Sequence, residues 1–349
     1  MVNDRRTKST ITLADVARAA GVSVATASKA LNNRRQVKAE TRDRVLAAAA
    51  NLSFTPNPFA QALNSTRTGS IGMLTNGLDS RFVLPVLRGA EDAFGAGSTS
   101  VLLCDARGDA LREQHHLRNL LTRRVDGIVV LGTTTNPRAS ITAGISVPVV
   151  YAYAPSDDAG DSSFTPDNTL AGELAARHLL ERGRRRIALV NGDPSFVAAT
   201  ERVDGVVREL ATHGLELVGG AVLYGQWSES WGRQCAEALM SAHPDIDAII
   251  CASDHIARGA LDYLREHAIQ VPQQVAVIGF DNWKPLVDGA RPPLSSIDME
   301  LEDLGRAAAR ELSRAIDGEA HPGVRQLPVR LVPRESSASA SVTPAQAAQ

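Results

Sequence analysis

The sequence predicts a small all-α head followed by an α/β core in two halves, and three observations predict it. Residues 1–67 hold eleven Lys and Arg against four Asp and Glu, a charge of +7, while the remainder carries −9. Within that basic head, short amphipathic helices are broken by a glycine. From Ser70 onward, apolar strand-like runs alternate with amphipathic helices, the pattern of parallel sheets covered on both faces.

In the head, Thr12 is placed to cap a helix over Leu13–Ala20, with Asp15 as the acid of a capping box. Leu13, Val16, Ala17 and Ala20 give it one apolar stripe, and Gly21 stops it. Ser23 caps a second helix, Val24 to about Leu31, with Ala27, Ala30 and Leu31 inward. A third, Ala39 to Leu52, is expected to bury Val45, Leu46 and Ala49. Two short helices about a glycine turn with a third behind them form the helix-turn-helix pattern.

The outward face of the second helix is small: Val24, Ala25 and Ser28, then Lys29, one of four lysines in the chain. Small residues let a helix backbone approach the floor of a DNA major groove. Val24 and Ala25 suit thymine methyls, and Lys29 suits the acceptors of guanine. Ser23, Thr26, Ser28 and Asn32 carry short polar groups suited to phosphates, which position a helix without reading sequence. The basic head supports this reading over a surface helix that is small by chance.

Next comes TPNPFAQALNSTRTGS, residues 55–70. Asn57 caps and Pro58 suits the first helical position, but a helix over 58–64 is too short to stand alone in water. It needs a partner, which predicts a homodimer placing two heads on a two-fold axis over a pseudo-palindrome. In the core the first half reads as strand 71–74, helix 82–95, strand 100–104, helix 110–123 and strands 127–131 and 148–152. The second half reads as helix 169–182, strand 186–190, helix 200–213, strand 221–225, helix 228–241, strand 248–251, helix 256–267 and strand 275–280. Ligands of such folds sit beyond the carboxyl ends of the strands. The tail, 337–349, lacks apolar periodicity and reads as disordered.

Other classes fit poorly. No apolar run approaches the ~20 residues of a membrane helix. MVNDRRTKST is polar and basic without an apolar h-region, so no secretory signal is expected and the location expected is cytoplasmic. Cys104, Cys235 and Cys251 are scattered, which suggests neither a disulfide framework nor a zinc site. GAGSTS, 95–100, precedes a strand where a dinucleotide loop would follow one. His115 and His116 are adjacent and lack i,i+4 ligand spacing. With no Walker loop, GxSxG or HExxH, no catalytic residue, metal or cofactor is assigned.

The chain resembles the lactose-repressor (LacI/GalR) family of bacterial transcription regulators along about 330 residues. Four motifs carry the resemblance in order: TLADVARAAGVSVATASKALN, TPNPFAQAL, RHLLERGRRRIALVNG with ERVDGV, and VIGFDNWKPLVDGARPPLSSIDME. It implies a helix-turn-helix DNA-binding domain over 1–54, a hinge helix and linker over 55–68, and a periplasmic-binding-protein-like core over 69–336. The core would have two lobes, each a parallel sheet flanked by helices, with three chain crossings between them. Lobe one is expected at 69–165 and 295–322, lobe two at 166–294 and 323–336.

The resemblance also assigns sites. Val24, Ala25 and Lys29 fall on base-reading positions, where lysine replaces the more usual arginine and lacks its planar fork. Thr41 and Asn57 join the phosphate contacts. Ala60 and Leu63 fall at the minor-groove hinge, where an apolar wedge unstacks a base step. Phe82, Asp167, Arg202, Trp227, Ser253, Asp254 and Asp281 match positions lining a sugar pocket, with serine at 253 where relatives commonly have asparagine. An indole suits the C–H face of a sugar ring, and arginine and aspartate suit its hydroxyls, which favours a neutral polyol. The function implied is a repressor of sugar uptake or catabolism genes, released from operator DNA by a small carbohydrate. The alternatives are a corepressor-dependent regulator and a sugar-binding protein without regulatory role.

Overall fold

The computed structural model describes residues 11–31, 36–54, 67–95 and 99–338. Asn32, Asn57, Ala60, Leu63 and the expected helix over 58–64 lie outside the described residues. The chain divides between Thr68 and Gly69 into two compact units.

The first unit contains α1 (Leu13–Ala20), α2 (Val24–Leu31) and α3 (Ala39–Asn51). Asp15 begins α1 by accepting from the Thr12 N–H at 3.0 Å and the Thr12 hydroxyl at 2.7 Å. Gly21, in the left-handed region at φ 63°, ends it. The Ser23 hydroxyl then accepts from the Thr26 N–H at 3.1 Å and starts α2. Val16, Ala17, Ala20, Ala27, Ala30, Val37, Val45, Ala48 and Ala49 form the buried centre, with Leu13, Val22, Leu31, Leu52 and Phe54 around it. Leu46 departs from expectation. The inward stripe of α3 runs 45, 48, 49, 52, which turns Leu46 outward, 47% exposed.

The second unit holds two sheets. The first has six parallel strands: β1 (Ser70–Thr75), β2 (Ser100–Asp105), β3 (Gly127–Leu131), β4 (Val149–Ala152), β5 (Ser162–Pro166) and β10 (Gly323–Leu327), in the order β10-β5-β4-β3-β1-β2. The second comprises β6 (Ile187–Val190), β7 (Ala248–Cys251), β8 (Ala276–Phe280), β9 (Ser295–Asp298) and β11 (Arg330–Val332), in the order β11-β9-β8-β7-β6. Edge strand β11 runs antiparallel to β9, so this sheet is not wholly parallel as expected. Both faces of β3 are buried: Ile128 and Val130 pack with Leu120 and Tyr151, and Val129 and Leu131 join the main core.

The three crossings lie between β5 and residue 168, between β9 and residue 301, and between β10 and β11. Two expected boundaries therefore move. β9 belongs to lobe two because it pairs with β8, and β10 belongs to lobe one because it pairs with β5. Lobe two also continues past 336: the Ser337 hydroxyl bonds to His178 at 2.7 Å and Ser295 at 2.6 Å, so Ser337 is no part of a loose tail. The expected strand 221–225 is reduced to one bridge, Val190 to Leu223, after Gly219 and Gly220 turn the chain with positive φ.

The helices on these sheets are α4 (Val83–Phe94), α5 (Ala110–Thr122), α6 (Asn168–Glu181), α7 (Val197–Ala211), α8 (Glu229–Ala242), α9 (Asp254–Glu266), the short α10 (Lys284–Val287) and α11 (Leu301–Ile316). Three pairs cross at backbone contact through reciprocal glycines: Gly89 and Gly305 between α4 and α11, Gly172 and Gly205 between α6 and α7, and Gly232 and Gly259 between α8 and α9. A Cβ added at any of the six would lie within 2.1 Å of a carbonyl oxygen on the facing helix. No helix among the described residues is long and apolar enough to cross a membrane.

Candidate functional site

The outer face of α2 presents Val24, 49% exposed, beside exposed Ala25 and Lys29, with Ala27 and Ala30 buried opposite. Ser23 is spent first on capping, since its hydroxyl also shares a 2.8 Å bond with Thr26. Ser28 is half-buried, as is Thr41 in the first turn of α3.

In the second unit, the predicted effector residues fall on loops and helix starts at the carboxyl ends of the strands. Lobe one contributes Phe82, just before α4, stacked on Tyr153 with centroids 4.8 Å apart. The Arg81 guanidinium lies over the Phe82 ring, 4.4 Å from its centroid. Lobe two contributes Asp281, which follows β8 at φ 97°. Arg81 Nη2 donates to Asp281 Oδ2 at 2.5 Å, so this ion pair joins the lobes. Burial works against the Arg81 charge, but the Asp281 carboxylate outweighs it and raises the pKa. A second bridge runs through Asn136 of lobe one, whose amide donates to the Ser195 carbonyl at 3.0 Å and accepts from the Val197 N–H at 2.8 Å.

Arg202 is buried. Its Nε donates to Asn168 Oδ1 at 3.0 Å and its Nη1 to the Ala252 carbonyl at 2.5 Å. Its Nη2 stands 3.6 Å from Asp281 Oδ1, an oxygen that is buried with no hydrogen-bond partner. Asp254 accepts from the Trp283 N–H at 2.7 Å and the Ser296 hydroxyl at 2.6 Å. Burial, then the nearby Asp281 charge, pushes the Asp254 carboxyl up to about 8. Ser253 caps α9 by accepting from the Ile256 N–H at 3.3 Å and is fully buried. Asp167 caps α6 by accepting from the Leu170 N–H at 2.8 Å.

Trp227 packs against Gly192, where a Cβ would come within 2.1 Å of the indole. Phe196 meets it edge-on at 5.7 Å, and its Nε1 is buried with no hydrogen-bond partner. The structure thus brings Phe82, Arg202, Asp254 and Asp281 into one cluster, joined by Arg81 and Tyr153, while Ser253 and Asp254 are spent on internal bonds. Sequence reasoning missed Arg81, Tyr153, Asn136 and Asn168. The signal for Arg81 was its place beside Phe82; nothing local marked the positive φ of Tyr153. Among the described residues no group of three or more His, Cys, Asp or Glu is placed to hold a metal.

Both the helix-turn-helix head and the two-lobed α/β core match known proteins. Residues 12–57 match the family described as bacterial regulatory proteins, lacI family, and residues 176–337 match the periplasmic binding protein-like domain. The chain is 33% identical to catabolite control protein A of Staphylococcus epidermidis over 311 residues, covering 89% of this chain and 94% of that protein. It belongs to the lacI family of bacterial regulatory proteins. The ribose operon repressor of Escherichia coli is 32% identical, with 92% and 97% covered. Among solved structures, the lac repressor dimer bound to operator and an anti-inducer aligns with a TM-score of 0.73 at 28% identity, covering 94% of this chain and 99% of that one. The complex of the regulator CelR with cellobiose aligns at 0.64 and 30%, covering 93% and 99%. This lacI-family chain is a DNA-binding regulator and not an enzyme.

Proposed function

We propose that the protein is a cytoplasmic, homodimeric repressor of sugar uptake or catabolism genes, released from a pseudo-palindromic operator by a small carbohydrate. Val24, Ala25 and Lys29 read bases; Ser23, Thr26, Ser28, Asn32, Thr41 and Asn57 hold phosphates; Ala60 and Leu63 enter the minor groove at the hinge. The observation that carries the effector reading is Asp281: a buried carboxylate with one oxygen paired across the lobes and the other lacking a hydrogen bond. A hydroxyl suits that oxygen, and the neighbouring Phe82–Tyr153 stack suits a sugar's apolar face. The cellobiose held by the related regulator CelR supports the same class.

A sugar held by both lobes favours one lobe orientation over another. Lobe one follows the hinge in sequence, so its movement separates paired hinge segments and lowers operator affinity. By linkage, operator lowers sugar affinity by the same factor. Asp281→Ala is expected to bind operator normally and ignore the sugar. The test is operator affinity of wild type and variant with and without the inducing sugar. Release of the variant by sugar removes Asp281 from the anchor role; tighter operator binding of wild type with sugar makes the ligand a corepressor. Light scattering on the operator complex tests the homodimer, which a single bound subunit would refute.

A further inference from the structure

We infer that Asp126 is a positioning residue for the sugar response: its carboxylate fastens the linker to lobe one, so that lobe movement is passed on to the hinge. The inference rests on the reading of the protein as a sugar-released repressor and names the tie that reading needs. The two compact units meet at the Thr68–Gly69 peptide. That peptide is planar, so fixing its N–H fixes the direction in which the linker leaves lobe one. The Gly69 N–H donates to Asp126 Oδ2 at 2.7 Å, a short bond to a charged acceptor. Two backbone bonds close the junction: the Asp126 N–H donates to the Ser70 carbonyl at 2.7 Å, and the Ser100 N–H of β2 donates to the Gly69 carbonyl at 2.8 Å. Those two hold the peptides after Gly69, and the carboxylate holds the one before it. Gly69 itself sits at φ 68°, where glycine alone is unstrained and where the chain swings most easily.

A short, stiff path leads to this junction from the far end of lobe one. Strands β1 and β3 lie side by side, Ile71 opposite Gly127 through Thr75 opposite Leu131. One end of the pair is the Gly69–Asp126 clamp. The other end leads into the two loops that touch lobe two: Arg81, after β1, pairs with Asp281, and Asn136, after β3, bonds to Ser195 and Val197. Strands of this length span about 17 Å. Apart from half-buried Ser70, every residue of both strands is buried, so the pair moves as a unit with the packed core. A change of lobe orientation at one end therefore turns the linker peptide at the other, as long as the carboxylate holds it. Without the carboxylate, Gly69 absorbs the turn.

The experiment compares full-length wild type, Asp126→Ala and Asp126→Asn. Operator affinity, on a duplex selected from random sequence by wild type, is measured with and without D-ribose, D-glucose, D-galactose or cellobiose. Calorimetry gives each variant's sugar affinity, and thermal melts show that each folds. Coupling between two sites is typically about 5–150-fold, and wild type should show a ratio of that order with its best sugar. Asp126→Ala should bind the same sugar within about twofold of wild type, yet its operator affinity should change by less than about threefold when the sugar is added. Asp126→Asn keeps an acceptor without the charge and should fall between. A ratio in Asp126→Ala equal to that of wild type overturns the coupling role and leaves the inducer reading standing. Lowered melts with sugar binding lost in both variants make Asp126 a support of the fold and also overturn the role. Wild-type operator affinity that none of the four sugars moves overturns the inducer reading, and the coupling role with it.

Discussion

Gly172→Ala tests whether the backbone contact between α6 and α7 holds the cleft in shape. A Cβ at Gly172 would sit 2.1 Å from the Arg202 carbonyl oxygen and 2.9 Å from the Val206 nitrogen. Both obstacles are backbone, so no rotamer change relieves them. Ordinary contact begins near 3.4 Å, so the helices must part by about 1.3 Å. Overpacking of this severity costs about 3 kcal/mol, and alanine's better helix propensity returns about 1 kcal/mol, leaving about 2 kcal/mol of destabilisation. The 3.0 Å bond from Arg202 of α7 to Asn168 of α6 spans the same pair, so the parting also loosens Arg202 beside Asp281. Urea unfolding of wild type, Gly172→Ala and the exposed control Val207→Ala measures the effect, with Val207→Ala expected within about 0.5 kcal/mol of wild type. A Gly172→Ala midpoint equal to wild type would show that the contact is slack.

Three further outcomes follow from other residues. Lys29→Ala should relax discrimination at one symmetric pair of base positions at a cost of about 1–3 kcal/mol per contact; a uniform loss across operator variants would make Lys29 a phosphate contact. Leu63→Ala should weaken operator binding far more than binding to random DNA, because a wedge acts only where the duplex kinks; equal losses on both would remove the wedge. Asp254 keeps its proton up to about pH 8 when folded and loses it near 3.8 when unfolded. The folded state thus holds the extra proton between those values, and stability falls as pH rises through that window. Asp254→Asn should flatten the fall between pH 5 and 8 in urea midpoints; an undiminished slope would assign the dependence elsewhere.

How much of this was legible in sequence varied with chemistry. α1 and α2 were read to the residue because a capping acid, a left-handed glycine and a capping serine mark their ends. Strands β3 and β7 were equally plain, being apolar runs throughout. Strands β5 and β9 were not, since SSFTP and SSID bury serines that no apolar pattern marks. Ser162 reaches the His321 carbonyl at 2.6 Å, and Ser296 reaches Asp254 at 2.6 Å. Such long-range partners make a polar strand stable and are invisible to local periodicity. The same holds in the cleft. Asp281 and Arg202 were found through their motifs, but that Arg202 is held by Asn168 and Ala252, and Arg81 by Asp281, depends on contacts across 34 to 200 positions.

The buried centre of the head contains only valine and alanine among the described residues. An alanine methyl removes little apolar area from water, so a unit of this size closes with little free energy in reserve. Such a unit opens locally while a larger neighbour stays shut, exposing its amides to exchange and its backbone to proteases. Operator DNA binds only the closed form and so adds to its stability in proportion to occupancy. The alanines that keep the head thin thereby tie its stability to its work: a head seated on DNA is protected, and a head off DNA is open to exchange and cleavage.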